Sequence, residues 1–487
     1  MPRAKTKSFI LELKLKTNNN DLVILNKRFK IAEGIYNKTL KYSLKQIKRM
    51  KENKDYKRAL SDYLNYKKLD DKDNIKSCTD TLNSIRKKYS LTEYGLFYFV
   101  KMQRKLYEKH FDSNTCQKIA SVVWRAISDI LFGNGNRASF KKYGQLTSLE
   151  GKTNKSGIRF SNNILSWKNL NIPVKIRKND IFAKECLENH RIKYCRIVRR
   201  AFKNGFKYFL QLIFEGVPPT KRNKDGSFRH TAFKKNRIGI DIGTSTIAVC
   251  SKNKLMLSEL APESSKYDKE IHFICRKLER SRRNMNPLNY NSDGTIKCDC
   301  KLKWINSKSY IKNLFKLKNL YRLKANYIRL SHNDLANKIL SIGNEIYVEN
   351  MDFKELQKRY HKGIRGFGKS LGNKSPSMLL EIIDRKLSYI NASLNKVNTI
   401  TFKASQYNHV EDKYIKKDIS DRWNDISGDQ IQRDLYSAFL LMNSKKDLKK
   451  TNRSLCVKTY KEFKKSHDKL ITELKLSENK LPCSFGI

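Results

Sequence analysis

The spacing of hydrophobic residues changes along the N-terminal half of the chain. Residues 8–16, "SFILELKLK", alternate between apolar and polar side chains, which predicts a strand. Residues 22–51 then carry apolar side chains at helical spacing among many lysines, and this helical character continues to about residue 135. Between about residues 136 and 230 the helical spacing stops, and four segments are typical of strands: "GIRFS", "NIPVKIR", "YCRIVRRAF" and "KYFLQLIF".

The C-terminal half follows a polar segment, "EGVPPTKRNKDGSFRH", whose prolines and Asp-Gly pair predict a domain boundary. Three strand patterns come first, "RIGIDIG", "TIAVCSKN" and "KLMLSEL", and a long basic helical section follows them. The strand "NEIYVENMDF" is next, and then a helix with Ser375 as N-cap and Pro376 in its first turn. The strand "NTITFKAS" and a final helix, "GDQIQRDLYSAFLLMN", end the series. This order predicts a ribonuclease-H-like α/β sheet.

Charge narrows the class of partner. Lysine and arginine number 103 against 47 acidic residues, so the formal net charge is +56. Such an excess repels itself unless a polyanion neutralises it, and the 24 Tyr and 23 Phe among the basic residues suit stacked bases. No apolar run approaches 18 residues and the start does not resemble a signal peptide, so we expect a nucleic-acid partner and no membrane.

The ten cysteines are dispersed, which favours a reducing cytoplasm over a disulfide framework. Cys298 and Cys300 form a single Cys-x-Cys pair with no second ligand pair nearby. Two loop cysteines are therefore a better interpretation than a zinc site.

One carboxylate, Asp241, lies inside the apolar strand "RIGIDIG". The two-residue period of a strand puts the three isoleucines on one face, and Asp241 on the other face between Gly239 and Gly243. We expect the isoleucines to be buried and the glycines to leave room beside Asp241 for something bulky. A carboxylate in such a place is costly unless a cation compensates it. The alternative is an acid that only forms a turn at the end of the strand.

Two further acids have comparable settings. Glu349 ends the apolar run "IYV", where a strand leaves its sheet. Asp434 lies on the flank of the apolar stripe of the last helix, and we expect Asp429 to cap that helix with Gln432 at its third position. The alternatives are an ion pair with a lysine for Glu349 and a solvated helix acid for Asp434.

Three carboxylates that meet at one sheet edge would hold two divalent cations, which activate water and stabilise the leaving oxygen in phosphodiester cleavage. Oxygen ligands favour Mg²⁺, with Mn²⁺ as the alternative. The sequence therefore predicts Asp241, Glu349 and Asp434 as metal ligands and catalytic residues.

The segments that carry these acids, "IGIDIGTSTIAV", "IYVENMDF" and "QRDLYSAFLLMN", resemble the three RuvC segments of TnpB, the insertion-sequence nuclease, and of the miniature type V CRISPR effectors. The stretch "ERSRRNMNPLNYNSDGTIK" is similar to a subgroup of TnpB-like proteins, and the N-terminal strand with "NKRFKIAEGIYNKTLKYS" is similar to the start of the family. The resemblance covers most of the chain, although residues 56–230 match only in character.

The resemblance implies an α/β and α+β multidomain protein. Residues 1–20 and 136–230 would form a β-barrel-like wedge domain, interrupted by a helical recognition domain at 21–135. Residues 231–487 would form a RuvC nuclease domain with a basic helical insertion at about 262–340.

The implied activity is RNA-guided cleavage of DNA in the prokaryotic cytoplasm, at the nucleoid. Guide RNA would supply sequence recognition by base pairing, and a short flanking DNA motif would mark the target. Double-stranded target DNA and its displaced single strand would be the further partners, and the displaced strand would enter the RuvC cleft.

The chain departs from the family where a zinc ribbon is usual. Tyr407 stands where the first cysteine is expected, and no cysteine occurs between Cys300 and Cys456. We therefore expect no zinc, and a metal-free target-loading loop at about 403–428. Its basic and aromatic residues either guide a strand to the acids or only pack locally: Lys413, Tyr414, Lys416, Lys417, Arg422 and Trp423.

Three other functions compete. "GIDIGTST" is also similar to the phosphate loop of actin-like kinases and chaperone ATPases, but a second glycine-rich loop is missing after residue 250. A DNA transposase normally orders its acids Asp, Asp, Glu, whereas the order here is Asp, Glu, Asp. A catalytically silent RNA-guided DNA-binding protein is expected to lose one of the acids, and all three are present.

Overall fold

The computed structural model describes residues 6–223, 225–229, 235–298, 302–358, 367–418, 420–478 and 481–487. The chain divides into two compact units, one formed by residues up to 201 with 205–220, the other by 202–204 with 221–487. No described helix combines the length and the apolar character needed to cross a membrane.

The first unit contains a layer of helices with apolar faces directed inward. They are α1 (Asn19–Glu52), α2 (Lys54–Lys68), α3 (Lys72–Lys88), α4 (Glu93–Lys105), α5 (Ser113–Leu131) and α6 (Ile181–Asn189). The start of α1 is specified by a capping box, because Asn18 Oδ1 accepts from Asp21 N at 2.8 Å while Asp21 Oδ2 accepts from Asn18 N at 3.0 Å. The predicted long basic helix and the helical character up to about residue 135 are thus present; α6 was not predicted.

The sheet of the first unit has seven strands in the order β2-β6-β7-β1-β5-β4-β3. Their bounds are β1 (Ser8–Leu15), β2 (Ser148–Glu150), β3 (Arg159–Ser161), β4 (Ile164–Trp167), β5 (Leu170–Lys175), β6 (Ile192–Phe202) and β7 (Gly205–Glu215). In β1, Phe9, Leu11 and Leu13 are buried, as alternation predicts.

Two fully buried arginines join α1 to this sheet. Arg199 forms an ion pair with Glu33 of α1, and Arg28 of α1 donates to Trp167 O at 2.8 Å while its guanidinium lies 4.4 Å from the centre of the Trp167 ring. Burial lowers the pKa of Arg28 to about 10, and the charge of Asp112 opposes that shift. Buried charges that are paired and hydrogen-bonded in this way specify one arrangement of helix and sheet.

The main sheet of the second unit has the order β10-β9-β8-β11-β12. Strand β9 (Thr246–Ser251) pairs antiparallel with both β8 (Arg237–Ile242) and β10 (Leu255–Glu259), whereas β11 (Glu345–Glu349) runs parallel to both β8 and β12 (Asn395–Val397). Two short hairpins follow, formed by β13 (Tyr407–Asn408) with β14 (Lys413–Tyr414), and by β15 (Trp423–Ile426) with β16 (Asp429–Gln432).

Helices cover both faces of this sheet. The described helices of the second unit are α7 (Asp268–Met285), α8 (Lys308–Ile342), α9 (Phe353–Lys358), α10 (Gly368–Lys374), α11 (Pro376–Tyr389), α12 (Thr399–Phe402), α13 (Arg433–Met442) and α14 (Arg453–Lys475). The isoleucines of β8 share a core with α8 and α11, while Ala248 and Cys250 of β9 share another with α13 and α14. The burial predicted for Ile238, Ile240 and Ile242 is confirmed.

Two local predictions were wrong, and a third was right in position only. No strand occupies "NTITFKAS", residues 398–405: β12 lies just before it and ends at Val397, and α12 occupies residues 399–402 instead. The helix placed from Gly428 begins only at Arg433, and α14 follows it, so it is not the last helix. Ser375 is the N-cap residue of α11 and Pro376 lies in its first turn, as predicted, but Ser375 also ends α10 and, at φ +47°, makes no side-chain capping hydrogen bond.

The described cysteines differ in exposure, and Cys78 is half-buried. Cys275, Cys298 and Cys483 are exposed, whereas five others are buried: Cys116, Cys186, Cys195, Cys250 and Cys456. Burial raises the pKa of Cys116, Cys195 and Cys456, each to about 12. Cys300 lies outside the described residues.

Candidate active site

Parallel pairing of β8 with β11 brings two of the predicted acids side by side. Ile238 pairs with Ile346 and Ile240 with Val348. In this register the next position of β8 is Asp241 and the next of β11 is Glu349. Both acids therefore lie at the carboxyl ends of adjacent parallel strands, where α/β sheets present polar groups to ligands.

The third acid is brought to this edge by a close approach between β8 and α13. A Cβ atom on Gly239 would lie 1.9 Å from Ala438 O and 2.3 Å from Met442 N, so the backbone of α13 rests directly on this strand. Asp241 is two residues beyond Gly239 on the same face, and Asp434 is four residues before Ala438 on α13. The space beside Gly239 is thus filled by the backbone of α13.

The electrostatics show that the three acids are neighbours. Burial raises the pKa of Asp241 well above its ordinary value of 3.8, and the charges of Asp434 and then Glu349 raise it further. Burial also raises the pKa of Glu349, while the backbone amide of Ala404 lowers it. Carboxylates arranged in this way resist ionisation together, and a bound divalent cation reverses that preference.

Two residues of α13 that were not predicted belong to the same surroundings. Arg433 Nε lies 3.6 Å from Asp434 Oδ1, and the charge of Arg433 lowers the pKa of Asp241. The Ser437 hydroxyl also lowers that pKa, although its geometry falls short of a hydrogen bond to any described residue. A helical wheel places Ser437 next to Asp434, because residues three apart share one side of a helix.

The donor chemistry of the site fits a divalent cation. Three carboxylates supply hard oxygen ligands, and the buried Ser437 Oγ has no hydrogen-bond partner in the described part of the chain. Within the described ranges, however, no three His, Cys, Asp or Glu side chains are grouped tightly enough to hold a metal. Asp241, Glu349 and Asp434 are therefore neighbours without a ready-made coordination sphere, and their catalytic and metal-binding roles stay predictions.

The position of Asp434 depends on how α13 begins. Gln432 caps the helix, since its Oε1 accepts from Leu435 N at 2.8 Å, and its own N–H donates to His467 Nε2 of α14 at 3.0 Å. Burial lowers the pKa of His467, with Asp468 opposing, so the imidazole is held in the neutral form that accepts. Asp429 is not the cap, because it lies in β16 and accepts from Tyr460 Oη at 3.0 Å.

The loop at 403–428 contains the β13–β14 hairpin and strand β15, whose partner β16 follows the loop. Where a cysteine was expected, Tyr407 donates its hydroxyl to Asp412 Oδ1 at 2.7 Å, and its ring lies 5.0 Å from that of Tyr414.

The six basic and aromatic residues proposed for this loop divide by exposure. Lys413, Tyr414 and Lys416 are exposed, whereas Lys417 donates to Asn424 Oδ1 at 2.6 Å and Trp423 donates to Gly486 O at 2.8 Å. Arg422 is half-buried. Local packing therefore accounts for Lys417 and Trp423, and strand guidance stays a prediction for the exposed three.

Comparison with known proteins gives structural likeness without a sequence match. No family model matches the chain, and no curated protein matches it. Among solved structures, the chain is similar to a cryo-EM structure of the Cas12f1–sgRNA–target DNA complex, with a TM-score of 0.41 and 10% identity over 91% of this chain and 99% of that chain. It is also similar to a cryo-EM structure of a CRISPR–Cas12f ternary complex, with a TM-score of 0.26 and 12% identity over 88% of this chain and 82% of that chain.

Proposed function

We propose that the protein is an RNA-guided DNA endonuclease, either a TnpB-type transposon nuclease or a compact type V CRISPR effector. The observation that carries the proposal is the meeting of Asp241, Glu349 and Asp434, far apart in sequence, at one edge of the five-stranded sheet. The order of that sheet, three antiparallel strands followed by two parallel ones, supports a ribonuclease-H-like nuclease domain.

In this proposal Asp241, Glu349 and Asp434 hold two Mg²⁺ ions, which when bound supply an activated water and stabilise the leaving oxygen. The chain's own residues contribute binding and orientation. Ser437 and Arg433 border the acids, and the exposed Lys413, Tyr414 and Lys416 are available to direct a phosphate backbone toward them.

The domain assignments are part of the proposal. Residues 1–20 and 136–230 serve as the wedge domain, 21–135 as the recognition domain and 231–487 as the nuclease domain. The net charge of +56 supports binding of guide RNA and DNA through their backbones, with sequence read by base pairing.

A second candidate is an RNA-guided DNA-binding protein that does not cleave. The observation in its favour is Arg433, whose charge lies close enough to Asp241 and Asp434 to compensate them in place of an ion. The two candidates differ in whether added divalent cation leads to cut DNA.

The test begins with the protein purified from its native locus and the RNA that accompanies it. We expect one defined RNA species, and Mg²⁺-dependent cleavage of DNA that matches it. Asp241→Ala should abolish cleavage while RNA and DNA binding persist. Random RNA fragments would contradict guidance; binding without cleavage by the unmodified protein would favour the second candidate.

A further inference from the structure

The connection between α7 and α8 carries an exposed apolar surface on a rigid support. We call residues 285–298 and 302–305 the insertion tip. A short 3₁₀ turn, Pro287–Asn289, presents Leu288 with 83% of its surface exposed. Ile305 and Met285 are 61% and 41% exposed. A hydrogen bond from Ile305 N to Asn286 brings these apolar residues near one another, and grouped exposed apolar side chains are characteristic of interaction sites.

Hydrogen bonds of two asparagine side chains fix the turn that presents Leu288. Asn286 is buried, and its Nδ2 donates to Arg282 O and to Ile305 O, each at 2.9 Å. Ile305 N donates in return to Asn286 Oδ1 at 2.7 Å. Asn289 Nδ2 donates to Lys303 O at 2.7 Å, on the other side of Leu288. Both flanks of the leucine are therefore fixed, so little conformational entropy is lost when it enters a partner.

Aromatic rings and arginines stack beside the turn. The rings of Tyr290 and Trp304 lie 5.9 Å apart, edge to face. The guanidinium of Arg282 lies 5.2 Å from the centre of the Trp304 ring, and that of Arg283 lies 5.1 Å from the centre of the Tyr290 ring. Glu279 forms ion pairs with both arginines, which holds the stack in place.

The charges around the tip indicate the class of partner. Four exposed cations surround it: Arg280, Arg283, Lys297 and Lys303. The two acids described there are already satisfied, Glu279 by arginines and Asp293 by the backbone N–H and hydroxyl of Thr295. The exposed apolar side chains complement the stacked bases of a duplex, and the surrounding cations complement its phosphates.

We propose that the insertion tip places Leu288 between adjacent base steps of a nucleic-acid duplex and unstacks them. Proteins that bend or open duplexes insert leucine, isoleucine, methionine or proline in this way, with arginine and lysine on the neighbouring phosphates. The inference takes its nucleic-acid partner from the proposed function. In that function, unstacking would weaken the pairing of the target DNA where strand exchange with the guide RNA begins.

The experiment reads unstacking without needing cleavage. Full-length protein carrying Asp241→Asn, with its co-purified RNA, is mixed with duplexes in which 2-aminopurine replaces adenine at successive positions. One series is duplex DNA and the other is an RNA–DNA hybrid. The comparison shows in which of the two duplexes Leu288 unstacks the bases. We expect a rise in fluorescence at one or two adjacent positions of at least one series.

Leu288→Ala should weaken this opening by roughly tenfold to a hundredfold, because the leucine side chain is no longer removed from water between the bases. Leu288→Met should retain it. The control is Leu476→Ala, which truncates a leucine that is 79% exposed at the end of α14 and should leave the signal unchanged. Equal melting temperatures for these variants show that folding is unaffected.

The inference is overturned if Leu288→Ala matches its parent at every position in both series. A second assay, in the background with Asp241 intact, compares cleavage of fully paired targets with targets that contain a preformed bubble. Leu288→Ala should be slow only on the paired target. Opening without any cleavage would refute the nuclease proposal alone, whereas normal cleavage of paired DNA by Leu288→Ala would refute this inference alone.

Discussion

Gly239 is the residue on which the assembly of the site depends most directly. A side chain there would overlap the α13 backbone, at 1.9 Å from Ala438 O. We expect Gly239→Ala to displace α13 and to lower the free energy of unfolding by ~1–3 kcal/mol or more. Thermal and denaturant unfolding measure the effect. Gly372→Ala is the matched control, because a Cβ there meets nothing within 4 Å; similar losses for both variants would contradict the close approach.

Asp241 opposes folding when no cation is bound. Because its pKa is raised, the folded protein binds a proton more tightly than the unfolded chain does. Proton binding by Asp241 therefore stabilises the folded protein. This stabilisation is fully present below about pH 3.8 and is lost as the pH rises through the raised pKa.

Asp241→Asn removes that effect. At neutral pH without divalent cations we expect the variant to melt higher than the unmodified protein, by ~2–4 °C for each kcal/mol relieved. Mg²⁺ should raise the melting temperature of the unmodified protein and not that of the variant. Glu462→Gln is the control, as it removes one exposed acidic charge. Equal Mg²⁺ responses would place ion binding elsewhere.

A residue could be singled out from the sequence when its role depends on neighbouring residues in the chain, and not when it depends on distant ones. Asp241 stands out because its strand is otherwise apolar with a period of two, and Glu349 because it ends an apolar run. Asp434 was selected on a helix whose assumed start was wrong, but helical phase between residues 434 and 442 does not depend on the start. Arg433 and Ser437 were missed because their importance arises from a strand about 190 residues earlier.

At the level of elements, the start of α13 determines where Asp434 lies. Gln432→Ala removes the cap and should cost ~1 kcal/mol of stability. Because the same change loosens the first turn, cleavage should fall by roughly tenfold or more. Cleavage rates and unfolding are measured on the same samples.

Asn452→Ala provides the comparison. Asn452 Oδ1 caps α14 by accepting from Leu455 N at 3.2 Å, so its loss should cost similar stability with little change in cleavage. If both variants lose cleavage in proportion to stability, the cap of α13 has no special positioning role.

The order of elements was easier to predict than their limits. Long helices such as α1 and α8 and strands such as β8 repeat their periods often enough to be recognised. The shorter elements, β12 with three residues, α12 with four and β16 with four, contain at most two periods each. β12 exists because β11 is available to pair with it, and such tertiary pairing leaves no local pattern.

At the level of the whole molecule, charge should dominate affinity. With a net charge of +56, binding to RNA and DNA should weaken by roughly 10³–10⁵-fold between ~50 and ~200 mM salt, as counterion release requires for several phosphate contacts. Filter binding over a salt series gives the slope. A nearly flat dependence would show that the excess charge does not serve nucleic acid.

The division of the thiols by exposure has a practical consequence. Burial encloses Cys116, Cys195, Cys250 and Cys456 and raises the pKa of each thiol, so dyes that attack thiolates should spare them. Cys298 is exposed and belongs to the insertion tip. With Cys78, Cys275, Cys300 and Cys483 changed to serine, a maleimide fluorophore at Cys298 would report when the tip reaches a duplex within a single turnover.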